Sequence, residues 1–215
     1  MEINGLDCIV DEPEERKGTI IIVNGFNGSK DSPHRSRRAE RFVDEGYRVV
    51  RWDYRSKTSG ESTKSLTEDL EDLLSLIDHF DCQVFLVGSS WGGQIAMRAV
   101  ARDDRIKTLA VRSPVVDLDH TVKDGEVQKT HVTSEKFFED IEQYNSYGMA
   151  RDIEVPVLVF AGSEDERCPL EFTKKLVDKI PDPKKLVVYD IPHEWPENLD
   201  KESTEEMIDW FEEWS

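Results

Sequence analysis

The pentapeptide Gly88-Ser89-Ser90-Trp91-Gly92 sets one serine between two glycines in the pattern G-x-S-x-G. At the junction of a strand and a helix this pattern makes a sharp, strained turn that projects the central hydroxyl above the edge of a sheet. Ser90, not Ser89, holds the central position. A serine hydroxyl is a poor nucleophile near neutral pH unless a base takes its proton during attack, and that base needs a carboxylate to orient it. Five histidines compete for the role. His34 and His79 fall in or at the start of helical patterns, and His120 and His131 fall in an irregular stretch. His193 follows the last strand-like run, in Tyr189-Asp190-Ile191-Pro192-His193-Glu194-Trp195, and has the address a base requires. The carboxylate is expected in Ala161-Gly162-Ser163-Glu164-Asp165-Glu166, after the preceding strand-like run. Asp165 is the expected acid, with Glu164 and Glu166 as competitors.

The oxyanion that develops when a serine attacks a carbonyl needs fixed donors. One is the backbone N–H after the nucleophile, at Trp91. The second is expected in Asn24-Gly25-Phe26-Asn27-Gly28-Ser29, a loop at a strand's carboxyl end, where open α/β sheets bind ligands. The backbone N–H of Phe26 is the candidate, and Asn27 is placed to touch a substrate. This chemistry calls for no metal and no organic cofactor.

These groups must be positioned by the elements between them. Val84 to Val87 is a short apolar run, read as a buried strand that Gly88 ends, and the residues from Ser90 to Val100 suit a helix packed on a sheet. Thr19 to Val23, Tyr47 to Trp52, Ile106 to Val111, Val155 to Phe160 and Leu186 to Tyr189 are further strands. Helical spacing covers Pro33 to Glu45, Leu66 to Phe80, Pro169 to Ile180 and Ser203 to Trp214. The pair Asn4-Gly5 marks a small hairpin. Alternating strands and helices specify an α/β fold: a mainly parallel sheet with helices on both faces. The cluster Arg35, Arg37, Arg38, Arg41 reads as a solvated helix face. From 114 to 152 the pattern turns irregular around Lys123-Asp124-Gly125, then helical from Ser134, as expected of a short lid inserted over the serine. Its aromatics Phe137, Phe138, Tyr144 and Tyr147 are candidates to line an acyl or aryl pocket.

The chain has 215 residues, enough for one domain, and no stretch that divides it. Three widely spaced cysteines suit neither a disulfide framework nor a C-x-x-C metal site, which points to a reducing, cytoplasmic setting. No segment approaches the roughly 18 apolar residues of a membrane helix. With 46 acidic against 28 basic residues the formal charge is −18, which repels nucleic acid and anionic membranes. That excess suits either an adaptation to high salt or an acidic soluble protein.

The order Ser90, Asp165, His193, with the glycine loop after the first strand, resembles the α/β-hydrolase superfamily from Thr19 to Trp214. The similarity is to compact serine esterases with an H-G-F-x-G-S loop, among them cinnamoyl and feruloyl esterases and the serine-aminopeptidase-like lysophospholipases. It implies a three-layer α/β-hydrolase fold, Ser90, Asp165 and His193 as a triad, and hydrolysis of a small-molecule carboxylic ester or thioester through an acyl-enzyme. The same triad serves amidases, peptidases, C–C hydrolases and acyltransferases, and the fold also serves non-catalytic binding proteins. Two positions depart from the pattern. Asn24 stands in place of the histidine, and Arg51 to Gly60 lacks the glycine-broken G-x-G-x-S segment.

Overall fold

Eight strands hydrogen-bond into one sheet in a computed structural model that describes residues 1–26, 28–58, 65–80, 82–120 and 135–215. They are β1 (Glu2–Ile3), β2 (Leu6–Asp11), β3 (Gly18–Val23), β4 (Tyr47–Trp52), β5 (Val84–Ser89), β6 (Ile106–Arg112), β7 (Val157–Gly162) and β8 (Lys184–Tyr189). Their order is β1-β2-β4-β3-β5-β6-β7-β8, antiparallel at the β1-β2 and β2-β4 pairs and parallel from β4 onward. The hairpin signal holds: Asn4 and Gly5 both take positive φ, at 51° and 80°, as a two-residue turn between twisted strands requires.

Among the helices of the described residues are α1 (Pro33–Asp44), α2 (Arg55–Thr58), α3 (Leu66–His79), α4 (Trp91–Val100), α5 (Glu135–Glu142), α6 (Ser146–Met149), α7 (Leu170–Val177) and α8 (Glu197–Glu213). The unbroken apolar runs of the central strands are explained by burial on both faces. Ile21, Val23, Leu86, Leu109 and Val159 join α3, α4, α5 and α7 in one core. Their alternating neighbours Ile20, Ile22, Phe85, Val87, Ala110 and Phe160 join α1 and α8 in a second. This is the three-layer arrangement the alternation predicts.

Four features differ from the sequence reading. Gly88 does not end its strand, because β5 lies between two parallel neighbours and the ladder continues through Val23↔Gly88, Gly88↔Val111 and Ser89↔Arg112. Helix α8 begins at Glu197 rather than Ser203, with its polar first turns still buried at Asp200, Ser203 and Thr204. The short helix α2 occupies part of the stretch read as a loop, whose Ser59-Gly60-Glu61-Ser62 lies outside the described residues. The basic face of α1 is solvated only in part: Arg37 and Arg41 stay partly exposed, but Arg35 and Arg38 are buried, Arg38 where α8 packs over α1 and its Asp200 accepts hydrogen bonds from Arg38 and Arg112 at 2.5 and 2.7 Å.

Among the described residues no helix is long and apolar enough to cross a membrane.

Candidate active site

Ser90 sits at the turn between β5 and α4 with φ 54° and ψ −119°, a conformation that costs an ordinary residue about 1–3 kcal/mol. Backbone bonds on both sides hold it there. Its N–H donates to Arg112 O at 2.9 Å, and its carbonyl accepts from Val115 N at 3.1 Å. The turn is possible because Gly92 has no side chain: a Cβ there would lie 2.2 Å from Val23 O and 2.4 Å from Asn24 O.

The parallel sheet delivers the other two groups to the same edge. Asp165 follows β7 and His193 follows β8. His193 Nδ1 lies 2.8 Å from Asp165 Oδ2, and His193 Nε2 lies 3.2 Å from Ser90 Oγ. The carboxylate therefore fixes which ring nitrogen faces the serine. The other oxygen, Oδ1, accepts from the N–H groups of Arg167 and Cys168 at 3.0 and 2.8 Å. Burial pushes the Asp165 pKa up, but the interactions with His193, Cys168 and Ser113 outweigh it, and the net direction is down. Asp165 is thus held ionised beside the imidazole. Of its competitors, Glu164 and Glu166 are exposed.

Ser113 escaped the sequence reading. It has φ 42° at the end of β6 and is buried. Its hydroxyl accepts from Trp195 Nε1 at 3.4 Å and helps hold the Asp165 carboxylate in its charged form. Trp195, two residues past His193, lies with its ring 4.6 Å from the Arg112 guanidinium and edge-on to Phe160 and Tyr189. The available signals were Ser113-Pro114 after an apolar strand and an aromatic beside the base.

Phe26 stands next to the serine turn. Its ring meets Trp91 and Phe137 edge-on, at centroid distances of 5.4 and 6.0 Å. The preceding Gly25 faces Ser90, with 3.7 Å between an ideal Cβ there and Ser90 Cβ. The Asn24 amide donates to Trp52 O, and Asn24 O accepts from Tyr54 Oη at 2.8 Å. An amide thus anchors the loop in place of the imidazole. Trp91 is fixed from the other side by its Nε1, which donates to the buried Asp69 at 2.8 Å.

The candidate pocket residues separate. Phe137 is buried against Phe26 and Trp91, and Phe138 packs on Phe137 at 5.7 Å. Tyr144 instead contacts Thr67 and lies over Arg98, 4.3 Å from its guanidinium. Tyr147 stacks under Lys175. Asn27, Lys123-Asp124-Gly125 and His131 lie outside the described residues. Helix α5 is fastened to α3 by Asp140, which accepts from Ser65 Oγ at 3.0 Å and Thr67 N at 3.1 Å.

A mainly parallel eight-stranded sheet with a strained serine at the turn after a central strand defines an α/β-hydrolase. Residues 14–147 match the family described as serine aminopeptidase, S33, and the chain belongs to that family. Solved structures with the same fold include Est1E from Butyrivibrio proteoclasticus with ferulic acid bound, at 20% identity and a TM-score of 0.83, covering 99% of this chain and 97% of that one. The Pyrococcus furiosus esterase Pf2001 matches at 18% identity and a TM-score of 0.78, covering 97% and 92%. An acylaminoacyl peptidase from Pyrococcus horikoshii matches at 16% identity and a TM-score of 0.75, covering 96% of this chain but 39% of the peptidase. No curated protein sequence matches.

Proposed function

We propose that this chain is a cytoplasmic serine hydrolase that cleaves a carboxylic ester or thioester of a small to medium acyl or aryl substrate. The observation that carries the reading is the unbroken line Asp165–His193–Ser90, at 2.8 and 3.2 Å, ending on a serine in a strained turn. Ser90 attacks the carbonyl while His193 Nε2 takes its proton. Asp165 stabilises the imidazolium, and the backbone N–H groups of Phe26 and Trp91 receive the oxyanion. His193 then returns the proton to the leaving alcohol or thiol. Water, deprotonated by the same imidazole, releases the acid from the acyl-enzyme. The three unpaired cysteines support a reducing compartment.

In this reading the chain is a single domain in which 114–152 forms a lid. Phe26, Phe137 and Phe138 supply an aromatic wall beside the serine, suited to an aryl group by edge-to-face contact. Ferulic acid, held by a neighbour of the same fold, is such a group. The family description favours a second reading, in which the same groups cleave an amide at a peptide's amino end.

The test is hydrolysis of p-nitrophenyl esters from acetate to palmitate and of methyl ferulate, beside aminoacyl p-nitroanilides, for wild type and Ser90→Ala. The expected result is ester turnover that falls by roughly 10⁴ or more in the variant, with fluorophosphonate labelling of wild type alone. Turnover of anilides over esters would install the peptidase reading. Silence on every substrate, with no labelling, would leave a binding protein.

A further inference from the structure

The hydrolytic steps make no use of the Cys168 thiol, yet the chain brings it to the triad. It follows Asp165 by three residues, in the turn that aims the carboxylate at His193, and its own N–H donates to Asp165 Oδ1 at 2.8 Å. One donor atom from each of Asp165, Cys168 and His193 lies within 4.8 Å of the other two. The Ser90 hydroxyl lies 3.2 Å from His193 Nε2 on the other side of the ring. A sulfur, an imidazole nitrogen and a hydroxyl therefore converge beside an orienting carboxylate.

Tetrahedral zinc holds sulfur at about 2.3 Å and imidazole nitrogen at about 2.0 Å, which sets the two donors roughly 3.6 Å apart. The Cys168 sulfur and a His193 ring nitrogen lie within 4.8 Å of each other, a gap that side-chain rotation can close. Because Nδ1 is committed to Asp165, Nε2 is the ring nitrogen open to a metal, and a carboxylate behind a metal-bound imidazole increases its basicity. The Cys168 thiolate and the Asp165 carboxylate together balance a divalent charge. The −18 net charge of the chain adds a field that concentrates cations.

We propose that a thiophilic divalent cation, Zn²⁺ or Cd²⁺, binds between Cys168 Sγ and His193 Nε2 with the Ser90 hydroxyl as a third ligand, and that its binding switches the centre off. The metal displaces the thiol proton to solvent, one per metal, and forms the metal–sulfur bond without redox change. It occupies the lone pair that would accept the serine proton. Only this last effect rests on the hydrolase reading; the site itself does not.

The purified protein is titrated with Cd²⁺ while thiolate-to-cadmium charge-transfer absorbance and ester hydrolysis are followed together. The expected result is one band per chain, inhibition in step with it, and reversal of both by EDTA. Cys168→Ala removes the band. Asp165→Asn weakens binding by about 10–100-fold. His193→Gln, a change on a half-buried loop residue, weakens binding by more than that, and it decides the matter if Cys168→Ala does not fold. No band, or one of unchanged affinity in Cys168→Ala or His193→Gln, overturns the site. Ser90-dependent turnover that ignores Cd²⁺ overturns it while leaving the hydrolase intact. A band that depends on Cys168 and His193, in a protein without Ser90-dependent turnover, supports the site and removes the hydrolase reading.

Discussion

Replacing Asp200 by asparagine tests whether the catalytic edge rests on a buried ion cluster. Asp200 lies in the first turn of α8, 3% exposed, with Arg38 and Arg112 bonded to the same oxygen at 2.5 and 2.7 Å. Burial alone would raise its pKa. The two guanidinium groups outweigh burial and take it from 3.8 to about 2. At about 1.36 kcal/mol per pH unit the displacement is worth about 2–3 kcal/mol of stability. Since the folded value lies below the unfolded one, that contribution is fully present above about pH 4–5 and is lost as the pH falls toward 2. Asp200→Asn also leaves two arginines buried without a counter-charge, which brings the expected cost at pH 7 to about 3–5 kcal/mol. For a chain of this size that lowers Tm by roughly 6–20 °C. Urea unfolding of wild type and variant at pH 7 and pH 3 provides the measure, and the gap should narrow by about 1 kcal/mol at the lower pH. A gap below 1 kcal/mol at pH 7, or one that widens on acidification, would refute the reasoning.

The same cluster reaches the His193 loop through Trp195. Trp195→Phe keeps the aromatic edges but loses the bond to Ser113 and most of the contact with Arg112, so kcat should fall several-fold with little change in KM, at a stability cost of about 1–2 kcal/mol; equal losses in kcat for a substitution remote from this loop would mark the effect as general softening. Asp165→Asn should lower kcat by roughly 10⁴ through the wrong imidazole tautomer, whereas Glu164→Gln and Glu166→Gln should stay within about threefold; a severe loss in either Glu variant would move the acid. Gly92→Ala forces a methyl to within 2.2 Å of Val23 O, and thermal melts should show a loss of about 3 kcal/mol or more; a melt within about 2 °C of wild type would contradict the close approach at the turn.

The parts of the site legible in the sequence are those fixed by local grammar. Apolar runs with the period of buried strands located β3, β5, β6 and β7, and once a sheet is parallel, every residue just past a strand's carboxyl end arrives at one edge. Ser90, Asp165 and His193 needed no more than that, and the structure joins them. Boundaries failed where the environment overrode the residue. Gly88 is a breaker by propensity, but the two flanking strands complete its ladder. The polar first turns of α8 look like a loop until Asp200 is seen to meet Arg38 and Arg112.

Residues that act through pairs distant in sequence carry no local signature. Arg38 and Asp200 are separated by 162 positions and Arg112 and Asp200 by 88, so part of a helix face that reads as solvated is instead packed under α8. The consequence runs in one direction through the molecule. Asp200 holds Arg112, Arg112 supports the Trp195 ring, Trp195 donates to Ser113, and Ser113 helps keep charged the carboxylate that orients His193. Each contact is modest, of order 1–2 kcal/mol. In series they make the aim of the imidazole depend on how α8 docks, so substitutions far from the serine should act on kcat in proportion to their effect on that docking.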